Sequence, residues 1–401
     1  MKESKLIKRV CVILIAILAI GAATCAALVY LLPKTKEEKV DVELPAEVPE
    51  PKPVSATAKY LFAGTTFWSR RTNTMARASE LGVKYPFSQL DTLEREKYQS
   101  WVVGIECPVV EKGGVHNNYE ETSLLKFNCD PDYLPEASKY FSVAMMGNNH
   151  SDNQGADGFA ESLQNLQANG IQTFGSYDYR DGETNCDVIR MPIIVTMDDN
   201  SEREVQMPFG MCSAHGVFGI PNNAVANMER YAAVLPTISM PHMGAEYQPS
   251  HDEIRQWLYR QMIDKGVEMV LADHPHWVQD TEAYQGKLIV YSMGNFMFDN
   301  LSNKELTRSA AIVTDVTLEN LADVDLDAWE KLGEECKTLE RSECLEKIRA
   351  AELVRPQYSY KYDFEATTFA GDRITRKASA EERAEISERL KWQETMQALG
   401  Q

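Results

Sequence analysis

The chain has 401 residues, 44% of them hydrophobic, which is enough to bury a sizeable core as one large domain or two smaller ones. It carries 41 basic residues against 60 acidic ones, a formal charge of −19. Such a balance excludes general nucleic-acid binding and repels polyanions except at a locally basic or metal-bearing cleft.

Val10–Leu32 contains no charged residue and only Thr24 as a clearly polar one, a run long enough to cross a bilayer as a helix. Lys2, Lys5, Lys8 and Arg9 precede it, whereas Lys34, Lys36 and Lys39 after it are offset by Glu37 and Glu38. The positive-inside rule then predicts a single-pass membrane protein with its short end in the cytoplasm and its C-terminal domain outside. The run continues past Ala22, Ala23 and Cys25, too far for a cleaved signal peptide, and Thr24 before Cys25 argues against a lipoprotein site. Residues 1–33 therefore read as a cytoplasmic tip and anchor, and 34–58, rich in Pro, Glu, Lys and Val, as an extended tether. Seven basic and three acidic residues lie before residue 40, which leaves 34 basic and 57 acidic beyond it, a formal charge of −23.

From residue 59 the chain alternates short apolar runs with helical patterns. Tyr60–Ala63, Trp101–Ile105, Phe141–Met146, Ala232–Ser239, Val267–Ala272, Leu288–Tyr291 and Ala310–Val316 read as buried strands. Pro236 suits an edge or a bulge. Gly158–Asn169, stopped by Gly170, and His251–Lys265, stopped by Gly266, read as helices. This alternation predicts an α/β fold. Ile189–Thr196 and Glu204–Cys212 flank an Asp198–Ser201 turn and read as a hairpin. The predicted organisation is a domain over 59–318, a helical excursion over 319–355, and a segment over 356–401 ending in an amphipathic helix near Ser379–Leu399, with Ser379 and Glu382 at capping-box spacing.

Cys11 and Cys25 lie in the apolar run, leaving Cys107, Cys129, Cys186, Cys212, Cys336 and Cys344 outside the membrane. An even number there permits disulfides. Cys107 with Cys129, which flank one loop, and Cys336 with Cys344, in one charged helical segment, are the preferred pairs; free buried thiols are the alternative.

His242–Tyr247, Asp273–Gln279 and Ser292–Asp299 each follow an apolar run, and His150 holds a similar place. Open α/β sheets collect ligand sites at the carboxyl ends of their strands, so His150, His242, His274 and His276 should converge on one crevice. Neutral imidazole is a common ligand for Zn, Mn and Fe, and His-x-His lets two rings of one loop reach one ion.

Phe62–Arg71, Gly104–Pro108, Gly147–Gly155 and the three histidine-bearing segments stand in the order found in the CapA family of capsule and poly-γ-glutamate synthesis proteins, which the chain resembles from about Lys59 to Val316. The resemblance implies a four-layer α/β/β/α sandwich similar to calcineurin-like metallophosphoesterases, with a site at the strand ends. It implies a divalent metal, Mn, Zn or Fe, held by Glu106, Asn149, His242, His274 and His276. His150 would protonate a leaving oxygen, while Asn148, Asp152 and Glu246 would orient the ligands. Asn295 would line the same cleft, Arg70 and Arg71 would hold an anionic group by paired hydrogen bonds, and Trp68 and Trp277 would wall the site.

One departure matters. The family's Gly-Asp after the first strand is Gly64-Thr65 here, and its Asn-Leu-Glu is Gly104-Ile105-Glu106. A neutral hydroxyl is a poor substitute for an anionic ligand. Two functions follow: a membrane-anchored exterior protein with a metal-dependent hydrolase-like site that helps make, export or retain an anionic envelope polymer, or a non-catalytic subunit that binds the polymer or scaffolds its machinery. No Gly-x-x-x-x-Gly-Lys-Ser/Thr phosphate loop occurs, so a ligase or export subunits would be separate partners.

Overall fold

The computed structural model of the chain describes residues 51–111, 127–178, 180, 182–219, 221 and 223–401. The apolar run at Val10–Leu32 and residues 34–50 of the tether lie outside these. Among the described residues no helix is long and apolar enough to cross a membrane. Residues Pro51–Gln401 make one compact unit with a mixed α/β architecture.

The organising element is β1, Pro53–Thr66. It begins inside the stretch expected to be tether, so residues 53–58 belong to the sheet. Its first half alternates exposed and buried positions, and its second half is buried on both faces, because the two halves have different neighbours. Pro53–Thr57 pairs antiparallel with β5 (Cys186–Met197), whereas Tyr60–Thr66 pairs parallel with β2 (Ser100–Ile105). On its other edge β1 pairs antiparallel with β12 (Arg308–Leu318) and parallel with β11 (Asn295–Met297).

Two wings grow from this shared strand. In one, β2, β3 (Val143–Met145) and β4 (Gln172–Phe174) continue in parallel. In the other, the hairpin of β5 and β6 (Glu202–Cys212) leads to parallel β7 (Thr237–Ser239), β8 (Met269–Leu271) and β10 (Lys287–Val290), with β9 (Thr281–Tyr284) antiparallel at the end. Alternate residues of β1 feed different cores: Tyr60 and Phe62 join an apolar cluster with Met145, Met207 and Tyr291, while Leu61 and Ala63 join one with Trp101, Phe141 and Phe296. All the parallel strands run the same way, so their carboxyl ends face one side.

The predicted strand at Ala232–Ser239 is mostly not one. Ala224–Ala232 is a helix whose buried face carries Met228 and Tyr231, and only Thr237–Ser239 is extended. Ala233–Pro236 form the turn between them, with the apolar side chains of Leu235 and Pro236 buried, and Pro236 stands just before the extended residues. Gly170 and Gly266 do stop their helices in a left-handed conformation, with φ +79° and +95°. The sequence reading missed β13 (Tyr358–Thr368), paired with β12 along its length; its alternation of Tyr with Ser, Lys and Asp hides an apolar signal. The capping box at Ser379 and Glu382 is present, but Lys391, left-handed with φ +53°, breaks the final helix into Ala380–Leu390 and Trp392–Leu399.

Cys107 pairs with Cys129, Cys336 with Cys344, and Cys186 with Cys212. The third pair was not expected from the sequence: it depends on the observed register of β5 and β6, in which Thr196 faces Glu202 and Cys186 therefore faces Cys212. Non-reducing peptide mapping of the full chain should therefore recover all three bridges. Labelling of any of the six cysteines by a thiol reagent after denaturation without reductant would contradict that.

Candidate functional site

The polar residues of the site lie at or just past the carboxyl ends of strands. Thr65 is the last residue but one of β1, Glu106 follows β2, Asn148-Asn149-His150 follows β3, His242 follows β7, and Asp273-His274 and His276 follow β8. The ladder continues past β6, β7 and β8 as parallel bridges of His215 to His242 and of His242 to Asp273, which hold these side chains side by side. His274 and His276 have φ +92° and +61°, a left-handed backbone that costs of order 1–3 kcal/mol per non-glycine residue and turns both rings of one loop inward.

Glu106 lies at the centre and is 1% exposed. His242 Nε2 is 3.5 Å from its Oε1, and the Nε2 atoms of His150 and His276 are each 4.0 Å from it. Ligand atoms of Glu106, His242 and His274 all lie within 4.8 Å of one another. Neither carboxylate oxygen of Glu106 accepts a hydrogen bond among the described residues. A buried carboxylate is normally satisfied by several donors, so two orphaned oxygens ringed by imidazoles fit a bound cation. Carboxylate with imidazole is a donor set for a borderline divalent ion.

The rings are aimed by partners behind them. His242 Nδ1 is 2.6 Å from Asp273 Oδ1, and its Nε2 is 2.9 Å from Asn149 Oδ1 and 3.2 Å from His274 Nδ1. His276 Nδ1 is 2.8 Å from Asn295 Oδ1, which leaves Nε2 toward Glu106. His150 Nδ1 is 2.9 Å from Asn153 Oδ1, and its ring stacks on Phe127 at 3.9 Å. Burial would raise the Glu106 pKa, but His276, His242 and His150 hold it well below the usual carboxylate range. Burial would lower His242, yet Asp273 and Glu106 push it up to about 10. Burial and the neighbouring His242 hold His274 well down, and burial lowers His150. The cluster thus carries its compensating positive charge on His242, and a metal ion would have to displace the Nε2 proton of that ring.

The other expected residues divide. Asn148 braces the loops, donating from Nδ2 to the Ile105 carbonyl at 2.7 Å and accepting from the His150 N–H at 3.1 Å. Asn295 is 1% exposed and orients His276. Asp152 and Glu246 are exposed, so neither stands behind a ligand as expected; the carboxylate that does so is Asp273. Arg70 pairs with Asp299, and its guanidinium lies 4.7, 4.6 and 5.3 Å from the ring centres of Phe67, Phe127 and Phe298. Phe127 stacks on His150 and Phe298 packs against His276, so Arg70 lies one ring away from the imidazoles. Arg71 meets the same Asp299 carboxylate through its backbone N–H at 3.2 Å. Trp68 is fully buried against Phe87 and Tyr133, so it is core and not wall. His215, buried beside His242, was not singled out from the sequence, although its place just after β6 was a usable signal.

The model of the family described as "Bacterial capsule synthesis protein PGA_cap" matches residues 59–207 and 213–300. The chain is similar to the PGA biosynthesis protein CapA of Bacillus subtilis (strain 168), 26% identical over 182 residues that cover 43% of this chain and 46% of that protein. It is also similar to the capsule biosynthesis protein CapA of Bacillus anthracis, 25% identical over 174 residues that cover 40% of each. The chain thus spans less than half the length of the curated relatives it matches. Among solved structures, a hypothetical protein from Thermus thermophilus aligns with a TM-score of 0.38 and 11% identity, covering 76% of this chain and 99% of that one.

Proposed function

The chain belongs to the bacterial capsule synthesis protein family PGA_cap, and on that premise we propose that it is a membrane-anchored exterior protein that takes part in making, exporting or retaining an anionic envelope polymer of capsule or poly-γ-glutamate type. The names of the two Bacillus relatives support the polymer class. Three disulfides suit an oxidising exterior, and the charge bias around Val10–Leu32 suits an anchor. We read the two wings sharing β1, with the helices that pack against them, as a four-layer α/β/β/α sandwich.

The observation that carries the site assignment is the buried Glu106 carboxylate with both oxygens orphaned among imidazoles. Glu106, His242, His274 and His276, with the Asn149 amide oxygen, would hold a divalent Mn, Zn or Fe ion. Such an ion supplies a Lewis acid that polarises a phosphoryl or acyl oxygen. His150, half-buried with Asn153 fixing its ring, is placed to hold a proton for a leaving oxygen. Arg70, its charge compensated by Asp299, lies against Phe127 one ring away from the cluster.

Two measurements test this reading. Protease added to cells stripped of their wall should remove the domain beyond residue 50; a domain protected from protease, or released without it, refutes the anchor. Cells lacking the chain should lose anionic polymer from their surface or their medium, and unchanged amounts in both fractions refute the role in polymer biosynthesis.

A further inference from the structure

Thr65 and Gly104 face each other in the register of β1 and β2, so neither of these two paired positions carries an anionic side chain. Thr65 is fully buried, and its hydroxyl has no hydrogen-bond partner among the described residues. The space beside Gly104 is filled from the other wing. A Cβ built on Gly104 would stand 2.5 Å from Asp273 Oδ2, closer than real Cβ contacts, so the carboxylate occupies room that only glycine leaves. Asp273 is 1% exposed; its Oδ1 meets His242 Nδ1 at 2.6 Å, and its Oδ2 is buried without a partner among the described residues. Its backbone is fixed as well: the N–H donates to the Pro241 carbonyl at 3.1 Å, and the carbonyl accepts from the Met243 N–H at 3.3 Å.

From this packing we infer that Asp273 is the second anionic group of the site, a positioning residue that fixes His242 for a divalent cation and takes the place of a strand-end carboxylate at Thr65, with Gly104 as the notch that admits it. The inference rests on the metal reading above. Asp273 holds Nδ1 of His242, so only Nε2 of that ring is presented to Glu106, Asn149 and His274. The negative charge lies behind the ring and increases the basicity of the nitrogen facing the ion, as carboxylates behind metal-bound histidines do. The absence of a carboxylate at Thr65 then does not leave the site short of anionic charge.

The test uses the full chain with Co2+ as probe, read by affinity and by visible d–d absorption. Asp273→Asn keeps the shape of the side chain and should lower Co2+ affinity about 10- to 100-fold, the usual cost of losing such a partner, and shift the absorption bands. Gly104→Ala should act in the same direction, because the added methyl displaces the carboxylate. Asp280→Asn removes a buried carboxylate from His251 outside the cluster and should leave both readouts unchanged. The double variant Gly104→Asp with Asp273→Ser returns a carboxylate to the same space from the facing wing and should bind Co2+ more tightly than Asp273→Ser alone. Wild-type affinity and spectrum in Asp273→Asn, alongside loss of binding in Glu106→Gln, would overturn the role of Asp273 and leave the metal reading standing. A swap no better than Asp273→Ser alone would likewise overturn the space-for-space exchange. No Co2+ binding by the wild type would remove both readings together.

Discussion

Glu106→Gln should abolish divalent-metal binding by the full chain while leaving it folded. Glu106 is the only carboxylate in the described ligand cluster, and glutamine replaces an anionic oxygen with a neutral amide of the same size. The loss of Mn2+ or Zn2+ affinity should exceed the roughly 10- to 100-fold cost of removing an outer partner, because a ligand itself is lost. Folding should survive, since both oxygens of Glu106 lack hydrogen bonds that a substitution would break, and an amide relieves the burial of a charge. Metal content of the purified protein checks the first point and circular dichroism the second. A folded Glu106→Gln variant with a full complement of metal would show that the ion is held elsewhere.

The convergence of the histidines was more legible in the sequence than the architecture around them. His150, His242, His274 and His276 were found because each follows an apolar run, and parallel strands necessarily collect their carboxyl ends on one side. The residues behind the imidazoles were harder to place. Asp152 and Glu246 are close to His150 and His242 in sequence but lie exposed, whereas Asp273 and Asn295 reach His242 and His276 from other segments. Their contacts depend on strand register and on left-handed backbone at His274 and His276, which local periodicity does not encode. Likewise β1 could not be read in full: its first half pairs with a hairpin far along the chain, and the polar residues of that half look like tether when read locally.

His150→Ala separates binding from chemistry. His150 stands at the rim: its side chain is 12% exposed against 1% for His242, and Asn153 and Phe127 hold its ring from behind and alongside. It does not belong to the compact group of Glu106, His242 and His274, so its removal should leave metal affinity within a few-fold of wild type. If its imidazole holds the proton that a leaving oxygen needs, hydrolysis of phosphoester or γ-glutamyl amide substrates should fall by about 10²- to 10⁴-fold, the usual contribution of a positioned acid or base. Asn153→Ala should produce a smaller loss of the same kind, because it frees the ring without removing it. Burial lowers the His150 pKa from its ordinary value, so the neutral ring prevails at neutral pH and the protonated, donating form grows only as pH falls. Any hydrolysis that depends on the protonated ring should therefore rise toward acid pH in the wild type and lose that rise in His150→Ala. If His150→Ala binds metal and hydrolyses substrate as the wild type does, with the same pH profile, the proton-donor role is wrong; if neither protein hydrolyses any substrate while cells carrying the variant still make polymer normally, the cleft serves binding and not catalysis.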